Sequence, residues 1–164
     1  SLKYFLQYLF YYITANSKHW VHSPFVFHLA NEVIQTRIKY YTKKQKNKAL
    51  VNQIISHFKP KSIIEIGSYN LFKKSTIYFN DFKNLNLNYV DFIFIQKATT
   101  KILCKSLKYM HNDSVLLLNN IHQTKEEWKH LQNHSKVNVS INLFYIGLVF
   151  FREQQDEEHF TIRF

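Results

Sequence analysis

Glycine and proline are scarce, with two of each in 164 residues. Barrels and sandwiches built from many tight turns use both freely, so this composition argues against an all-β architecture. The single cysteine, Cys104, excludes a disulfide framework within the chain. It fits a reducing compartment, either as a buried structural thiol or as a nucleophile. Acidic residues are few, 11 against 22 Lys and Arg, for a formal charge of +11. No apolar run has bilayer length. The longest, Tyr4 to Ala15, contains Gln7, and a spanning helix needs about 20 residues. The same stretch makes a poor secretory signal, because only Lys3 leads it, tyrosines crowd it and no small-x-small cleavage site comes after it. The expected location is the cytoplasm.

What is present suffices for one folded domain. Apolar residues make up 46% and aromatics 17%, enough for a core in a chain of this length. The expected organisation is one domain over 1–164, with a helical part at 1–59 and an α/β core at 60–164. Charge is uneven. Residues 1–82 carry 12 Lys/Arg against 3 Asp/Glu, and residues 83–164 carry 10 against 8. The densest run is Arg37, Lys39, Lys43, Lys44, Lys46 and Lys48. It can attract a polyanion or an acidic protein by Coulomb forces and counterion release, or serve as a solvated surface.

Leu2, Phe5, Leu6, Leu9 and Ile13 recur at helical spacing and predict an amphipathic helix over 2–15. The aromatic cluster Tyr4, Phe5, Tyr8, Phe10, Tyr11 and Tyr12 within it reads as helix packing rather than a base-stacking surface. Ser23-Pro24 opens a second helix, since serine caps free N–H groups and proline is tolerated in the first turn. A basic linker comes next at 39–48. Leu50, Ile54, Ile55 and Phe58 predict a third helix stopped by Pro60.

The pattern then changes. Ser62 to Ile66 and Val90 to Ile95 are short β-branched or aromatic runs, the mark of buried parallel strands. Gln96 to Tyr109 reads as a helix, Val115 to Leu118 as a third strand, and Thr124 to Asn133 as a helix opened by a Thr124/Glu127 capping box. Val137 to Phe144 and Ile146 to Phe151 are too close for a crossover helix and should pair antiparallel. The fold class is therefore α/β, a mostly parallel sheet of about five strands with a C-terminal antiparallel pair, preceded by N-terminal helices. Ligands in such sheets sit at the carboxyl ends of the strands. Here those ends are Gly67 onward, Gln96 onward and Asn119-Asn120.

Several of these residues match a known family. Glu65-Ile66-Gly67-Ser68 closing the first strand, with Ser75-Thr76 starting the next helix, resembles motif I of class I S-adenosylmethionine-dependent methyltransferases. His22-Ser23-Pro24-Phe25 and the tail from Asn142 to Phe164 resemble small bacterial O-methyltransferase-like proteins. The resemblance implies a shortened Rossmann-like methyltransferase sheet and S-adenosylmethionine as cofactor, with Glu65, Gly67 and Ser68 nearest to it. It also implies His122 as a general base, for which a structural histidine is the other reading.

The chemistry positions depart from the family pattern. Its glycine-rich turn keeps only Gly67 and holds Tyr69, Phe72, Lys73 and Lys74. Only Ile77 to Asn88 separates this region from Val90, so two β-α units and the acid that holds the cofactor ribose are expected to be missing. The first strand should then be an edge covered by 69–88 or by the helices. Asn119 and Asn120 occupy positions that are acidic in metal-dependent relatives, so no metal is expected. His130 and His134 read as a helix surface rather than a metal pair. Three functions remain open: a methyltransferase with impaired or lost catalysis, a non-catalytic basic module for an acidic partner or RNA, and an N-terminal helix that docks on a membrane or a protein.

Overall fold

The computed structural model describes residues 2–15, 21–35, 42–67, 77–83 and 85–164. The chain forms two compact units, one of Ser1–Lys59 with Phe160–Phe164 and one of Pro60–His159.

The first unit begins with α1, Leu2–Thr14. Its one buried residue is Tyr11, whose hydroxyl donates to the Ile162 carbonyl at 2.5 Å and accepts from the Phe164 N–H at 3.2 Å. The face carrying Leu2, Phe5, Leu6, Leu9 and Ile13 is exposed. Helix α2, Pro24–Leu29, starts as expected, with Ser23 Oγ accepting from the Val26 N–H. It runs on into a π-helical stretch, Ala30–Ile34, that buries Ala30, Val33 and Ile34. Helix α3 spans Lys43–Phe58. The linker expected at 39–48 is thus helical from residue 43. Thr42 and Gln45 form a capping box, which starts the helix well before its apolar periodicity does. The helix ends at Lys59 in the left-handed region, just before Pro60.

The second unit is built on a seven-stranded sheet. Its strands are β1 Ser62–Ile66, β2 Ile77–Phe79, β3 Phe92–Ile95, β4 Val115–Asn119, β5 Val139–Asn142, β6 Ile146–Phe150 and β7 Glu158–Thr161. The order is β2-β1-β3-β4-β6-β5-β7. Strands β2, β1, β3 and β4 are parallel, while β6 pairs antiparallel with both β4 and β5. Strand β3 is buried along its whole length, as a parallel strand covered on both faces must be.

The expected pairing of 62–66 with 90–95, then 115–118, then an antiparallel pair is present. The count of five strands is corrected to seven, and β1 is not an edge. Part of the 69–88 segment, β2, pairs with it, Ser62 opposite Ile77 and Ile64 opposite Phe79.

Two helices complete this unit. Helix α4, Thr100–Lys108, is capped by Thr99, whose Oγ1 accepts from the Ile102 N–H at 3.3 Å. Leu103 and Leu107 are buried, but Cys104 between them is exposed, which corrects the buried-thiol reading. Helix α5, Lys125–Gln132, comes after Thr124 without a side-chain cap bond, so the expected capping box does not form. The Thr124 backbone has φ −122° and ψ 55°. Gly147 on β6 lets α5 approach, since a Cβ there would collide with the Trp128 ring.

The amino ends of the parallel strands are tied by Asp91. Its Oδ2 accepts from the Lys61 N–H at 2.7 Å and the Ser62 N–H at 3.0 Å, and Ser62 Oγ accepts from the Asp91 N–H at 3.0 Å. His111 Nε2 lies 3.0 Å from Oδ1. Ser114 Oγ donates to the Val90 carbonyl at 2.7 Å and accepts from the His111 N–H at 2.8 Å.

Burial pushes the Asp91 pKa up, but the hydrogen bonds from His111 and from the Lys61 and Ser62 N–H groups outweigh it, so the net shift is downward. A depressed folded pKa makes this contribution to stability fully present above the unfolded value of about 3.9 and lost as pH falls through the lower folded value. Asp91→Ala should therefore cost about 1–3 kcal/mol at neutral pH, read by urea unfolding. The difference between variant and parent should shrink below about pH 3.9. A variant as stable as the parent at pH 7 would show that Asp91 does not hold the strands.

Candidate functional site

Three chain segments leave the carboxyl ends of the central parallel strands, where ligands of such sheets bind. After β1, Glu65 is wholly buried in the sheet opposite Phe94, and Gly67 comes next but one with φ +152°, a conformation that side chains rarely adopt. Ser68 and the loop to residue 76 lie outside the described residues. The Gln96 N–H, after β3, donates to the Ile66 carbonyl at 2.9 Å. That bond seats the Gln96 side chain on Gly67. A Cβ at position 67 would lie 2.5 Å from Gln96 Oε1 and 2.6 Å from Gln96 Cβ. The close approach that this glycine allows is taken by a side chain of the protein itself.

After β4, Asn119 ends the strand, paired with Ile146, and Asn120 adopts the left-handed conformation at φ 58°. Asparagine tolerates that conformation better than most residues. A single helical turn, Ile121–Gln123, carries the chain on to α5. Gln96, Lys97, Asn119, Asn120, Gln123 and Thr124 line a cleft of about 330 Å³ between the β3 and β4 ends. Its wall offers amides, one hydroxyl and one ammonium, and no carboxylate.

His122 is not among these lining residues. Its ring stacks on Phe144 at 5.0 Å and meets the Tyr145 ring edge-on at 5.1 Å, so it is held by the turn between β5 and β6. Among the described residues, no group of three His, Cys, Asp or Glu side chains could hold a metal ion. His130 and His134 do not share a helix, because α5 ends at Gln132. His134 Nδ1 accepts from the Lys136 N–H, and burial, then His130 and Lys136, lower its pKa.

One acidic residue escaped the sequence reading. Asp81 lies two residues past β2, at the same end of the sheet as Gly67, and its Oδ1 accepts from the Lys83 N–H at 2.8 Å. An acid therefore does stand after the second strand, which corrects the expectation that none would. The signal was Ile77-Tyr78-Phe79 before Asn80-Asp81, a β-forming triplet ahead of a turn.

Of the basic run, Arg37 and Lys39 lie outside the described residues, as do the side chains of Lys43 and Lys44. Lys46 Nζ stands 4.1 Å over the Phe164 ring, where burial lowers its pKa, and Lys48 is exposed.

No protein-family model and no curated protein matches the chain. Among solved structures it is similar to an O-methyltransferase from Bacillus cereus in complex with SAH, at 10% identity and TM-score 0.48, over 74% of this chain and 87% of that one. It is also similar to a putative O-methyltransferase from Klebsiella pneumoniae, at 9% identity and TM-score 0.48, over 80% and 91%. The strand order itself defines the class. A parallel run ends in β4, and the later strand β6 inserts antiparallel between β4 and β5. This is a Rossmann-like α/β sheet, with the C-terminal antiparallel insertion that the resemblance to class I methyltransferases implies.

The contact between Gln96 and Gly67 makes a local prediction. Gly67→Ala should destabilise the protein by about 1–3 kcal/mol, through backbone strain and overpacking. Gln96→Ala in the same chain should recover the overpacking part only. Denaturant midpoints of the two variants check this, and equal losses in both would show that Gln96 does not press on Gly67.

Proposed function

We propose that this chain is a methyltransferase-fold protein with impaired or lost methyl transfer, and that it works by binding an anionic partner through its basic first unit. The observation that carries the reading is the Gln96 side chain seated on Gly67. The cofactor's amino-acid portion would need that close backbone approach. Two further features agree. Asn119 and Asn120 give the cleft neutral amides in place of acids, and His122 is stacked between aromatic rings away from the cleft wall. On these grounds the residues present do not fit S-adenosylmethionine.

Asp81 favours a second reading, a surviving methyltransferase, because it stands where a ribose-binding acid would. Calorimetry of the purified chain with S-adenosylmethionine separates the two. We expect no binding at micromolar concentrations, no effect of Mg²⁺, and no activity restored by Asn119→Asp with Asn120→Asp. A micromolar dissociation constant would return the chain to the enzymes.

For the binding role, retention on immobilised heparin should fall steeply as salt rises, and Lys43→Glu, Lys44→Glu and Lys46→Glu together should weaken it. Elution without retention at low salt, or a triple variant retained like the parent, would make the basic run only a solvated face.

A further inference from the structure

Helix α1 is turned inside out. It packs through Tyr11 and presents its aliphatic and phenylalanine side chains to solvent. Tyr11 is 6% exposed and hydrogen-bonded to both Ile162 and Phe164, whereas Leu2 is 75%, Phe10 70% and Ile13 69% exposed. Phe5, Leu6 and Leu9 are exposed too. At about 100° per residue, these six side chains fall within an arc of about 140°, opposite Tyr11. Seven of the eight large hydrophobic residues exposed among the described residues belong to α1, so the apolar surface is one stripe, not scatter.

Cations border the stripe on both sides. Lys3 is exposed beside Phe10 in the helical projection. On the other edge, the Arg163 guanidinium lies 4.2 Å over the exposed Tyr12 ring and donates to the Tyr12 carbonyl at 2.8 Å. The unit as a whole, residues 1–59 with 160–164, holds ten Lys/Arg and one Asp/Glu. That single acid, Glu32, lies 3.9 Å from both His28 and His57.

We infer that α1 lies in the interface of an anionic lipid bilayer, its apolar stripe among the acyl-chain ends and the surrounding cations on the headgroups. Such helices bind through buried apolar area together with attraction of Lys and Arg to negative lipid. Tyr12, exposed at the edge of the stripe, suits the boundary between hydrocarbon and water. The described helix has 13 residues, and among the described residues no helix is long and apolar enough to cross a membrane. A nucleic acid would match the cations but would leave the aliphatic stripe in water.

The electrostatic half of this inference rests on the binding role proposed above, and the apolar half stands apart from it. The test is co-sedimentation of the purified chain with vesicles of phosphatidylcholine alone, or with about one-third phosphatidylglycerol. We expect binding to the anionic vesicles, weaker at high salt, and roughly tenfold or more weaker with neutral vesicles. Leu6→Glu with Phe10→Glu should release the protein by a similar factor. Both positions are exposed, so the melting temperature should not change. No sedimentation above the vesicle-free control, or a double variant that binds like the parent, overturns the inference. Heparin retention that persists in that case leaves the binding role standing. A dimer in light scattering that the double variant dissociates, without vesicle binding, overturns it in favour of a second copy of the chain.

Discussion

Asp91 sets where the central strands begin, and so where they end. Its carboxylate accepts from two successive N–H groups at the start of β1, while its own N–H is held by Ser62 and its other oxygen meets His111. Ser114 fastens the chain before β4 to Val90, two residues before β3. Parallel strands have no hairpin turn to fix their register. A polar clamp at the amino ends supplies that restraint, and the apolar interior of β3 and β4 then locks it. With those ends fixed, the carboxyl ends of β1, β3 and β4 stand side by side, and Gly67, Gln96 and Asn119 meet.

Their meeting is what separates the fold from its chemistry. A Rossmann-like sheet offers a cleft at its strand ends, and this chain keeps one. Gly67 is met by the Gln96 side chain, and the cleft wall bears amides, a hydroxyl and a lysine. The same sheet can keep its shape while the site on it is refilled, because packing needs only apolar faces and strand pairing, whereas a site needs particular groups at particular distances.

The other half of the molecule carries the opposite imbalance. There the caps and turns are ordinary, but α1 exposes what a water-facing helix usually buries. Burying Tyr11 with its hydroxyl satisfied by the Ile162 carbonyl turns that surface outward. In water this arrangement leaves the apolar stripe exposed.

Much of this was legible along the chain. The runs 62–66, 90–95 and 115–118 announced buried strands because they are short, largely apolar and too brief for helices. Ser23-Pro24 announced a helix start, and the spacing of 137–151 an antiparallel pair, since both signals are local. Other features depend on neighbours distant in sequence. Ile77–Phe79 is a strand only because β1 offers it an edge, and Asp81 gains its place only through that pairing. Cys104 is exposed, and Thr124 fails to cap, because packing sets the rotation of α4 and the backbone at α5. Periodicity showed that α1 has an apolar face but not which way it points. The sequence by itself determined the central strands, the antiparallel pair, most of the helices and the α/β class. The tertiary structure alone decided which side chain sits on Gly67 and which face of α1 meets solvent, because both depend on contacts between segments that the chain order does not bring together.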